Sequence, residues 1–349
     1  MACNKLKELE ALELKRELKI TERRPSARTH RGDRELISFA CNDYLGLSTH
    51  TEVVEASVQA TRLYGAGAGA SRLITGNHPL FQMLEQQLAR LKDTEDSVVF
   101  GSGYLASVGV IPSLVGPDDL VLLDELGHAC LNAGANLARS RILHFKHNEV
   151  THAGELLESH RKEHRYCLLV TEGVFSMEGD LAPLSGLAVL ADQFNTWLMS
   201  DDAHGLGVIG RGRGSNFAQQ DPITVPLQIG TLSKAAGAYG GYLCASHNVT
   251  NLIRNRARSF IYTTGLPAGT VAAASKALEI IERDPAFTTL PVKRAQLFTR
   301  ELRLPQAESA IVPIILRTPE RALTASQSLE KQGFLVTAIR PPSVPKGTA

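Results

Sequence analysis

The sequence predicts an α/β protein with a mainly parallel sheet, covered by helices on both faces, and a small C-terminal α+β subdomain. Seven short apolar runs alternate with segments whose apolar residues recur at helical spacing. Such alternation is typical of parallel strands joined by crossover helices. Polar residues follow several of the apolar runs, which is where ligands bind in open α/β sheets. The same pattern therefore predicts both the fold and the place of its site.

The elements are predicted in order along the chain. Residues 1–18 alternate charge with leucine at helical spacing, which predicts an amphipathic helix rather than a signal peptide. Strands are predicted at 97–103, 120–126, 141–145, 166–173, 196–204, 227–234 and 241–246, with helices at 78–92, 104–116, 128–138, 150–164 and 185–195 between them. A helix at 266–283 leads to a strand at 309–317, a helix at 319–332 and a strand at 333–339. The predicted domains are an N-terminal helix and arm (1–50), a large α/β domain (51–275) and a small subdomain (276–349).

Composition excludes several classes of function. The chain has 349 residues and a net charge of +1, so nothing favours binding to nucleic acid or to an anionic membrane. No apolar run reaches the roughly 18 residues that a membrane span needs. The five scattered cysteines, without a C-x-x-C pair, predict buried thiols in a reducing compartment. We expect a cytoplasmic protein.

Lys234 is the first candidate for chemistry, because it follows an apolar run and precedes a series of alanines and glycines. The plainer alternative is a surface lysine after a strand. A lysine that is partly removed from water instead has a lowered pKa and a nucleophilic amine. Pyridoxal phosphate requires such a lysine, together with a carboxylate facing its ring nitrogen. Asp201 follows the preceding strand directly, and His204 lies three residues beyond, where it can contact the ring's phenolic oxygen.

A phosphate site is predicted where the strand ending at 100 gives way to a helix. Ser102, Gly103 and Tyr104 form a Ser-Gly turn and the start of that helix, a place where backbone N–H groups bind phosphate. Thr231 adds a hydroxyl three residues before Lys234. The glycine-rich segment 64–71 resembles a dinucleotide loop but follows a predicted helix, so we do not interpret it as a nicotinamide site.

Three further polar residues follow predicted strands. His128 is suited to stack on a cofactor ring and to move protons, although a lone histidine is more often structural. Glu172 and Ser176 lie at a strand end and in the following turn, where turn chemistry and ligand contact are about equally plausible. The remaining histidines show no spacing typical of a metal site, and we expect no metal.

Taken in order, eight motifs resemble the α-oxoamine synthases, a family of pyridoxal-phosphate enzymes with the fold-type I aminotransferase architecture. They lie at 39–48, 67–81, 100–107, 123–130, 171–184, 200–215, 230–242 and 338–349. The family joins an amino acid to an acyl thioester with loss of carbon dioxide. The Arg-Pro-Pro before Val-Pro in the last motif is most like the branch that uses L-alanine and a pimeloyl thioester on coenzyme A or acyl carrier protein. The alternatives are glycine with acetyl-coenzyme A, and a degenerate, non-catalytic cofactor-binding protein.

The resemblance also implies roles for individual residues. Lys234 carries the cofactor as a Schiff base, Asp201 pairs with its ring nitrogen, His204 contacts its phenolic oxygen and His128 stacks on the ring. The residues implied to bind the cofactor are Ser102, Gly103, Tyr104, His128, Glu172, Ser176, Asp201, His204, Thr231, Lys234 and, from the second subunit of a homodimer, Thr264. Asn42, Ser176 and Arg340 face substrate. The small residues around Lys234 are expected to make room for the cofactor.

The chain departs from the family pattern at its end. The last motif of the family continues beyond "GTA" to an arginine that binds the carboxylate of the amino acid, whereas this sequence ends at Ala349. We expect these 349 residues to bind pyridoxal phosphate but to condense substrates poorly unless Arg340 replaces that arginine.

Overall fold

The computed structural model of the chain describes residues 1–11 and 15–349. The helices are α1 (Ala2–Ala11), α2 (Thr51–Tyr64), α3 (Pro79–Leu91), α4 (Gly103–Leu114), α5 (Ala129–Ala138), α6 (Val150–His160), α7 (Leu184–Gln193), α8 (His247–Arg256), α9 (Arg258–Ile261), α10 (Ala268–Arg283), α11 (Pro285–Thr288), α12 (Leu290–Glu301) and α13 (Pro319–Lys331). The strands are β1 (Glu22–Arg23), β2 (Arg28–Arg31), β3 (Arg34–Ser38), β4 (Asp96–Phe100), β5 (Leu120–Asp124), β6 (Arg141–Phe145), β7 (Cys167–Glu172), β8 (Trp197–Asp201), β9 (Leu227–Thr231), β10 (Gly241–Ala245) and β11 (Phe334–Leu335).

The large sheet contains all seven strands predicted between residues 97 and 246, which confirms that prediction. Its order is β4-β10-β9-β8-β7-β5-β6. Strand β10 runs antiparallel to both of its neighbours, and the pairs from β9 to β6 are parallel. The carboxyl ends of β4, β5, β7, β8 and β9 therefore meet at one edge of the sheet.

Alternation along the strands places buried side chains on both faces of this sheet, where they belong to three hydrophobic clusters. Leu243 belongs to the same cluster as Val110 of α4 on one face, whereas its neighbour Tyr242 belongs to that of Leu84 of α3 on the other. Both faces are covered, as expected for strands that read as nearly continuous apolar runs. Each large side chain buried in this way contributes about 1.5–3 kcal/mol relative to an exposed one.

Contacts divide the chain into two compact units, which we call the large unit (residues 43–312) and the small unit (1–42 and 313–349). The predicted boundary at residues 275 and 276 differs from this grouping and stays a prediction. Helix α10 continues across it to Arg283, and Ile280 and Ile281 beyond the boundary are buried in the core of the large unit.

The small unit has a sheet of its own, in the order β1-β2-β3-β11. Strand β11 pairs in parallel with β3, with Phe334 beside Ile37. The sequence did not predict β1 to β3, because these short, arginine-rich strands lack a clear apolar alternation; Thr29 and Leu36 are their buried residues.

Two strand predictions near the C-terminus need correction. Residues 309–317 were predicted as a strand but have no regular structure, and the strand predicted at 333–339 is limited to β11. Pro313 lacks the N–H that a ladder needs. The N–H groups of Leu316 and Arg317 both donate to one oxygen of Ala349, at 2.8 and 2.9 Å, instead of forming a ladder.

The N-terminal helix is shorter than predicted. Helix α1 ends at Ala11, residues 12–14 lie outside the described part of the chain, and residues 15–18 are not helical. None of the residues of α1 is buried, so packing does not stabilise a longer helix. Among the helices of the described residues, none has the length and apolar character needed to cross a membrane.

The five cysteines are free thiols. Cys130, Cys167 and Cys244 are buried as predicted, whereas Cys3 is exposed and Cys41 is half-buried. The buried-thiol prediction is therefore wrong for Cys3, which lies on the exposed helix α1.

Candidate active site

The candidate site lies at the edge of the large sheet where the carboxyl ends of the parallel strands meet. Strand β9 leads to Lys234, β8 ends at Asp201 just before His204, and β7 ends at Glu172. Strand β4 leads through Gly101 to Ser102 and the start of α4. The sequence-based expectation that these strand ends share one edge is met by the parallel pairing of β7, β8 and β9.

Lys234 is partly buried, and its Nζ lies 2.8 Å from Nε2 of His204. Burial lowers the pKa of the Lys234 amine, although the carboxylates of Asp201 and Glu172 oppose the shift. A larger fraction of the amine is therefore neutral, and a neutral amine is the form that attacks a carbonyl group.

The small residues after Lys234 pack against the chain itself. Ala235 and Ala236 are buried in the same core as Leu47. Gly237 has a φ of +63°, and a Cβ there would lie 2.2 Å from the backbone nitrogen of Ser48. The expectation that these residues make room for a cofactor is wrong for these three positions, where they permit close packing of the loop.

His204 is held between two groups within the large unit. Its Nε2 faces Lys234, and its Nδ1 lies 2.6 Å from Oη of Tyr44. Burial lowers the pKa of His204 to about 2, and the positive charge of Lys234 adds to that shift. The ring is therefore neutral over the physiological pH range and carries a single N–H group.

Asp201 is buried at the end of β8, and its Oδ1 accepts a hydrogen bond from the N–H of Ala203 at 3.0 Å. Burial raises the pKa of this carboxyl, and the positive charge of Lys234 opposes the rise. A cationic group placed beside it would relieve the cost of burying the carboxylate. The residue is thus suited to face a protonated ring nitrogen.

His128 is the N-cap of α5 and is tied to two neighbouring residues. Its N–H donates to Oε1 of Glu172 at 2.8 Å. Its Nδ1 accepts from the N–H of Cys130 at 3.2 Å and lies 2.9 Å from the Cys130 Sγ. Burial of part of the ring lowers the pKa of His128, while Asp201 opposes the shift. Burial also raises the pKa of Glu172 well above its usual range.

The predicted phosphate site begins at Ser102, whose Oγ caps α4 by accepting from the N–H of Leu105 at 3.1 Å. The first N–H groups of a helix lack partners within it and attract anions. A Cβ on Gly103 would lie 3.3 Å from Cβ of Thr231, so glycine lets the two segments approach closely. Thr231 Oγ1 donates to the carbonyl of Gly240 and lies 2.8 Å from the Ser233 hydroxyl. The set offers the backbone donors and hydroxyls that a phosphate monoester requires.

The remaining predicted site residues lie in different places. Ser176 is in the loop closed by the bridge between Val174 and Leu181, and Tyr104 is exposed in the first turn of α4. Thr264 is exposed and pairs with Ser71. Asn42 and Arg340 belong to the small unit. Their roles toward substrate and cofactor stay predictions.

Sequence reasoning missed several residues in and near this edge. Tyr44, Cys130 and Ser233 each contact a predicted site residue, and all three lie inside motifs already recognised, so position within a motif was the available signal. His147 was also missed: it lies 3.1 Å from Asp124 and 2.9 Å from Asp180. Its sequence neighbours gave no sign of these partners, which come from distant segments.

Comparison with known proteins places this site in a family. Residues 34–348 match the model of the class I and II aminotransferases, and the chain belongs to that family. Its architecture is that of the fold-type I pyridoxal-phosphate transferases. The resemblance to the α-oxoamine synthases is confirmed by the curated relatives described next.

Two curated relatives bear the same name. The 8-amino-7-oxononanoate synthase of Granulibacter bethesdensis is 56% identical over 348 residues, which is 100% of this chain and 90% of the relative. The synthase of Methylocella silvestris is 58% identical over 319 residues, covering 91% of each chain. Among solved structures, a serine palmitoyltransferase variant from S. paucimobilis, with a bound pyridoxal phosphate–myriocin aldimine, has a TM-score of 0.89 and 27% identity, over 99% of this chain and 89% of that one.

Proposed function

We propose that this chain is a pyridoxal-phosphate-dependent acyltransferase that condenses L-alanine with a pimeloyl thioester, releasing carbon dioxide and forming 8-amino-7-oxononanoate in biotin biosynthesis. The observation that carries the proposal is the partly buried Lys234 amine, 2.8 Å from a neutral His204 and next along the sheet edge to the buried Asp201. This arrangement lies in a chain that is 56% identical, over its whole length, to a protein named for that reaction.

The residues fit pyridoxal phosphate in three respects. Lys234 supplies an amine whose pKa is lowered by burial, Asp201 supplies a buried carboxylate, and the start of α4 at Ser102 supplies donors for a phosphate. When bound, the cofactor supplies a protonated heterocycle that accepts the electron pair left on a substrate carbon. Gly103, Tyr104 and Thr231 would complete the phosphate site, and His128 would cover one face of the ring.

The protein groups have separate tasks in this proposal. Nζ of Lys234 would hold the cofactor covalently and would accept the proton from the α-carbon of the amino acid. The Asp201 carboxylate would stabilise a positive charge on the ring nitrogen, and a neutral His204 would donate or accept one hydrogen bond without adding charge. His128, whose backbone N–H is held by Glu172 and whose Nδ1 contacts Cys130, would assist proton transfer in the condensation.

Substrate recognition is assigned to residues outside this central group. Ser176, in the loop after β7, and Asn42 and Arg340, in the small unit, are proposed to face the substrates. Arg340 offers a guanidinium that suits a carboxylate. The pimeloyl group is carried by coenzyme A or by acyl carrier protein, and the reaction is tested with both thioesters.

Assembly and location complete the proposal. We infer a homodimer in which Thr264 of each chain reaches the cofactor phosphate of the other, because Thr264 is exposed and lies beside the glycine-rich segment at Ser71. We also infer a cytoplasmic location. Sedimentation of the holoprotein as a monomer alone would contradict the shared site.

The first experiment tests the attachment of the cofactor. Protein mixed with pyridoxal phosphate should absorb in the visible range, and borohydride should leave a pyridoxyl group on Lys234, found by peptide mass. The Lys146→Ala variant, which alters an exposed lysine, should behave as the parent does. An adduct on another lysine, or no adduct, would contradict the assignment of Lys234 as the attachment point.

The second experiment tests the reaction. Holoprotein is incubated with L-alanine or glycine, each with pimeloyl-coenzyme A, pimeloyl-acyl carrier protein or acetyl-coenzyme A, and the products are identified by mass. We expect 8-amino-7-oxononanoate from alanine with a pimeloyl thioester. Preference for glycine with acetyl-coenzyme A would indicate the other branch, and cofactor binding without any product would indicate a non-catalytic protein.

A further inference from the structure

Tyr44 is a residue of the site edge to which neither its motif nor the comparisons assign a task. Its Oη lies 2.6 Å from Nδ1 of His204, and the two rings are tilted by 52° with centroids 6.0 Å apart. The tyrosine is partly buried and packs against the core below the site. Both residues belong to the large unit.

The hydrogen-bond partners of His204 limit where its proton can reside. The pKa of His204 is lowered to about 2, so the ring is neutral and has one N–H group for two nitrogen atoms. Each nitrogen has a partner: Nδ1 faces Tyr44, and Nε2 lies 2.8 Å from Nζ of Lys234. His128 and Lys234 act on the charge of His204, and Asp201, Glu172 and Cys130 act on that of Lys234.

Two arrangements of protons satisfy both contacts. In the first, the Tyr44 hydroxyl donates to Nδ1, and the N–H on Nε2 donates to a neutral Lys234 amine. In the second, a Lys234 ammonium donates to Nε2, and the N–H on Nδ1 donates to the phenolic oxygen. A phenol is a better donor than acceptor, and an aromatic ring nitrogen with a lone pair is a good acceptor. The neutral amine favoured by burial also fits the first arrangement.

We propose that Tyr44 is a positioning residue that fixes the tautomer of His204, donating its hydroxyl to Nδ1 so that the ring proton stays on Nε2 and points toward Lys234. The hydrogen-bond partner of one ring nitrogen thereby determines whether the other nitrogen is a donor or an acceptor. His204 then presents a donor on the side where Lys234 lies. The value of that donor in catalysis rests on the proposed function, whereas the tautomer itself does not.

The test uses the cofactor-free protein with ¹⁵N-labelled histidine. Nitrogen chemical shifts distinguish the two neutral tautomers, and the His204 signals are assigned by their loss in His204→Asn. We expect the Nε2–H tautomer in the parent and a mixture of both tautomers in Tyr44→Phe, which removes only the hydroxyl. Tyr166→Phe, which alters an exposed tyrosine at the start of β7, should leave the parent tautomer unchanged.

Either of two results would overturn the proposal: an Nδ1–H tautomer in the parent, or an unchanged tautomer in Tyr44→Phe. The parent measurement decides by itself if Tyr44→Phe does not fold. In the loaded enzyme, Tyr44→Phe should lower kcat by roughly two- to tenfold, the size of one neutral hydrogen bond, and leave KM unchanged. A protein that fails to condense substrates would refute the proposed function without changing the tautomer result.

Discussion

Two lysines of the large unit, Lys92 at the end of helix α3 and Lys234 after strand β9, have opposite surroundings. Lys92 is fully buried, and its Nζ donates to Oδ2 of Asp202 at 2.6 Å and to the carbonyl of Arg213 at 2.7 Å. Lys234 is partly buried, and the described part of the chain gives its Nζ one hydrogen-bond partner, the neutral His204. The carboxylates beside them, Asp202 and Asp201, are consecutive in the chain.

The difference between these two regions lies in hydrogen-bond satisfaction rather than residue type. Oδ1 of Asp202 accepts from both the N–H and the hydroxyl of Ser215, so both ions of the Lys92 pair are fully engaged. A buried charge with all its partners is held in one place and unavailable for chemistry. The Lys234 amine lacks such partners and is therefore free to change its protonation state and to attack a carbonyl. The following predictions test whether the first region stabilises the fold while the second acts in catalysis.

The largest effect is expected for Lys234→Met. Condensation should fall at least about a thousandfold, because the variant loses both the attachment point and the proton acceptor. The free energy of unfolding in urea should change by only about 1 kcal/mol, since one neutral hydrogen bond is lost. Product mass and urea titration measure the two quantities, with Lys146→Met as the exposed control. A large loss of stability would show that Lys234 resembles Lys92.

Lys92→Met should produce the opposite result. It leaves the Asp202 carboxylate buried without its counter-ion, and we expect a loss of about 3–5 kcal/mol in the free energy of unfolding. Adding Asp202→Asn removes that charge and keeps an acceptor for Ser215, so the double variant should recover more than half of the loss. Urea denaturation of the parent, both single variants and the double variant measures the coupling. No recovery in the double variant would contradict the ion-pair explanation.

Asp201→Asn should have a smaller effect on chemistry. The amide cannot compensate a positive charge on the cofactor ring, and the loss of a charged interaction of about 1.5–3 kcal/mol predicts an α-proton exchange roughly ten- to a hundredfold slower. Binding of the amino acid should change less. Hydrogen–deuterium exchange of alanine, followed by NMR in the holoprotein, separates the two quantities. Equal exchange rates in variant and parent would remove Asp201 from this role.

The sequence predicted the large sheet well because each strand has a local signature. All seven apolar runs became strands, and the residues that follow them, from Ser102 to Lys234, share one edge because parallel pairing aligns strand ends. That inference needed only the alternation of patterns. The Lys92–Asp202 pair was missed because its members are 110 residues apart and nothing local indicates that Lys92 is buried.

The other failures also reflect non-local physics. Residues 309–317 have a strand-like composition, but a strand needs a neighbouring ladder, which the described chain does not supply there. Ala235 to Gly237 were interpreted as space for a ligand, yet Gly237 is small because Ser48 approaches it. The small residues correctly indicated a close approach to this backbone, but the group that approaches is another segment of the chain, at Ser48.

His147 lies between the carboxylates of Asp124 and Asp180, which predicts a pH effect on stability. Burial alone would lower its pKa, but hydrogen bonds to Asp124 and Asp180 raise it to about 10. Because the pKa of His147 is higher in the folded protein than in the unfolded chain, its protonation stabilises the fold. This stabilisation is complete below about pH 6.5, the ordinary pKa of histidine, and is lost as the pH rises toward 10. After allowance for partial exposure, we expect His147→Gln to remove about 1–2 kcal/mol near neutral pH.

The measurement is the free energy of unfolding in urea between pH 6.5 and 10. The parent should lose stability across this range relative to His147→Gln, because the folded parent keeps the His147 proton there while the unfolded parent has lost it. His247→Gln, which alters an exposed histidine, should follow the parent. Parallel curves for the parent and His147→Gln would contradict a charged His147 in the folded protein.

The smallest effect on activity is expected for substitutions of Cys130, which contacts both His128 and Asp201. Its thiol is buried, with a pKa raised to about 12, so it does not act as a nucleophile. Its Sγ is 2.9 Å from Nδ1 of His128 and 3.7 Å from Oδ2 of Asp201, which suits a donor that orients the histidine. Cys130→Ser keeps that donor and should retain activity, whereas Cys130→Ala should lower kcat roughly two- to fivefold, the effect of one weak hydrogen bond, without changing KM. Equal activities of the serine and alanine variants would show that the thiol only fills space.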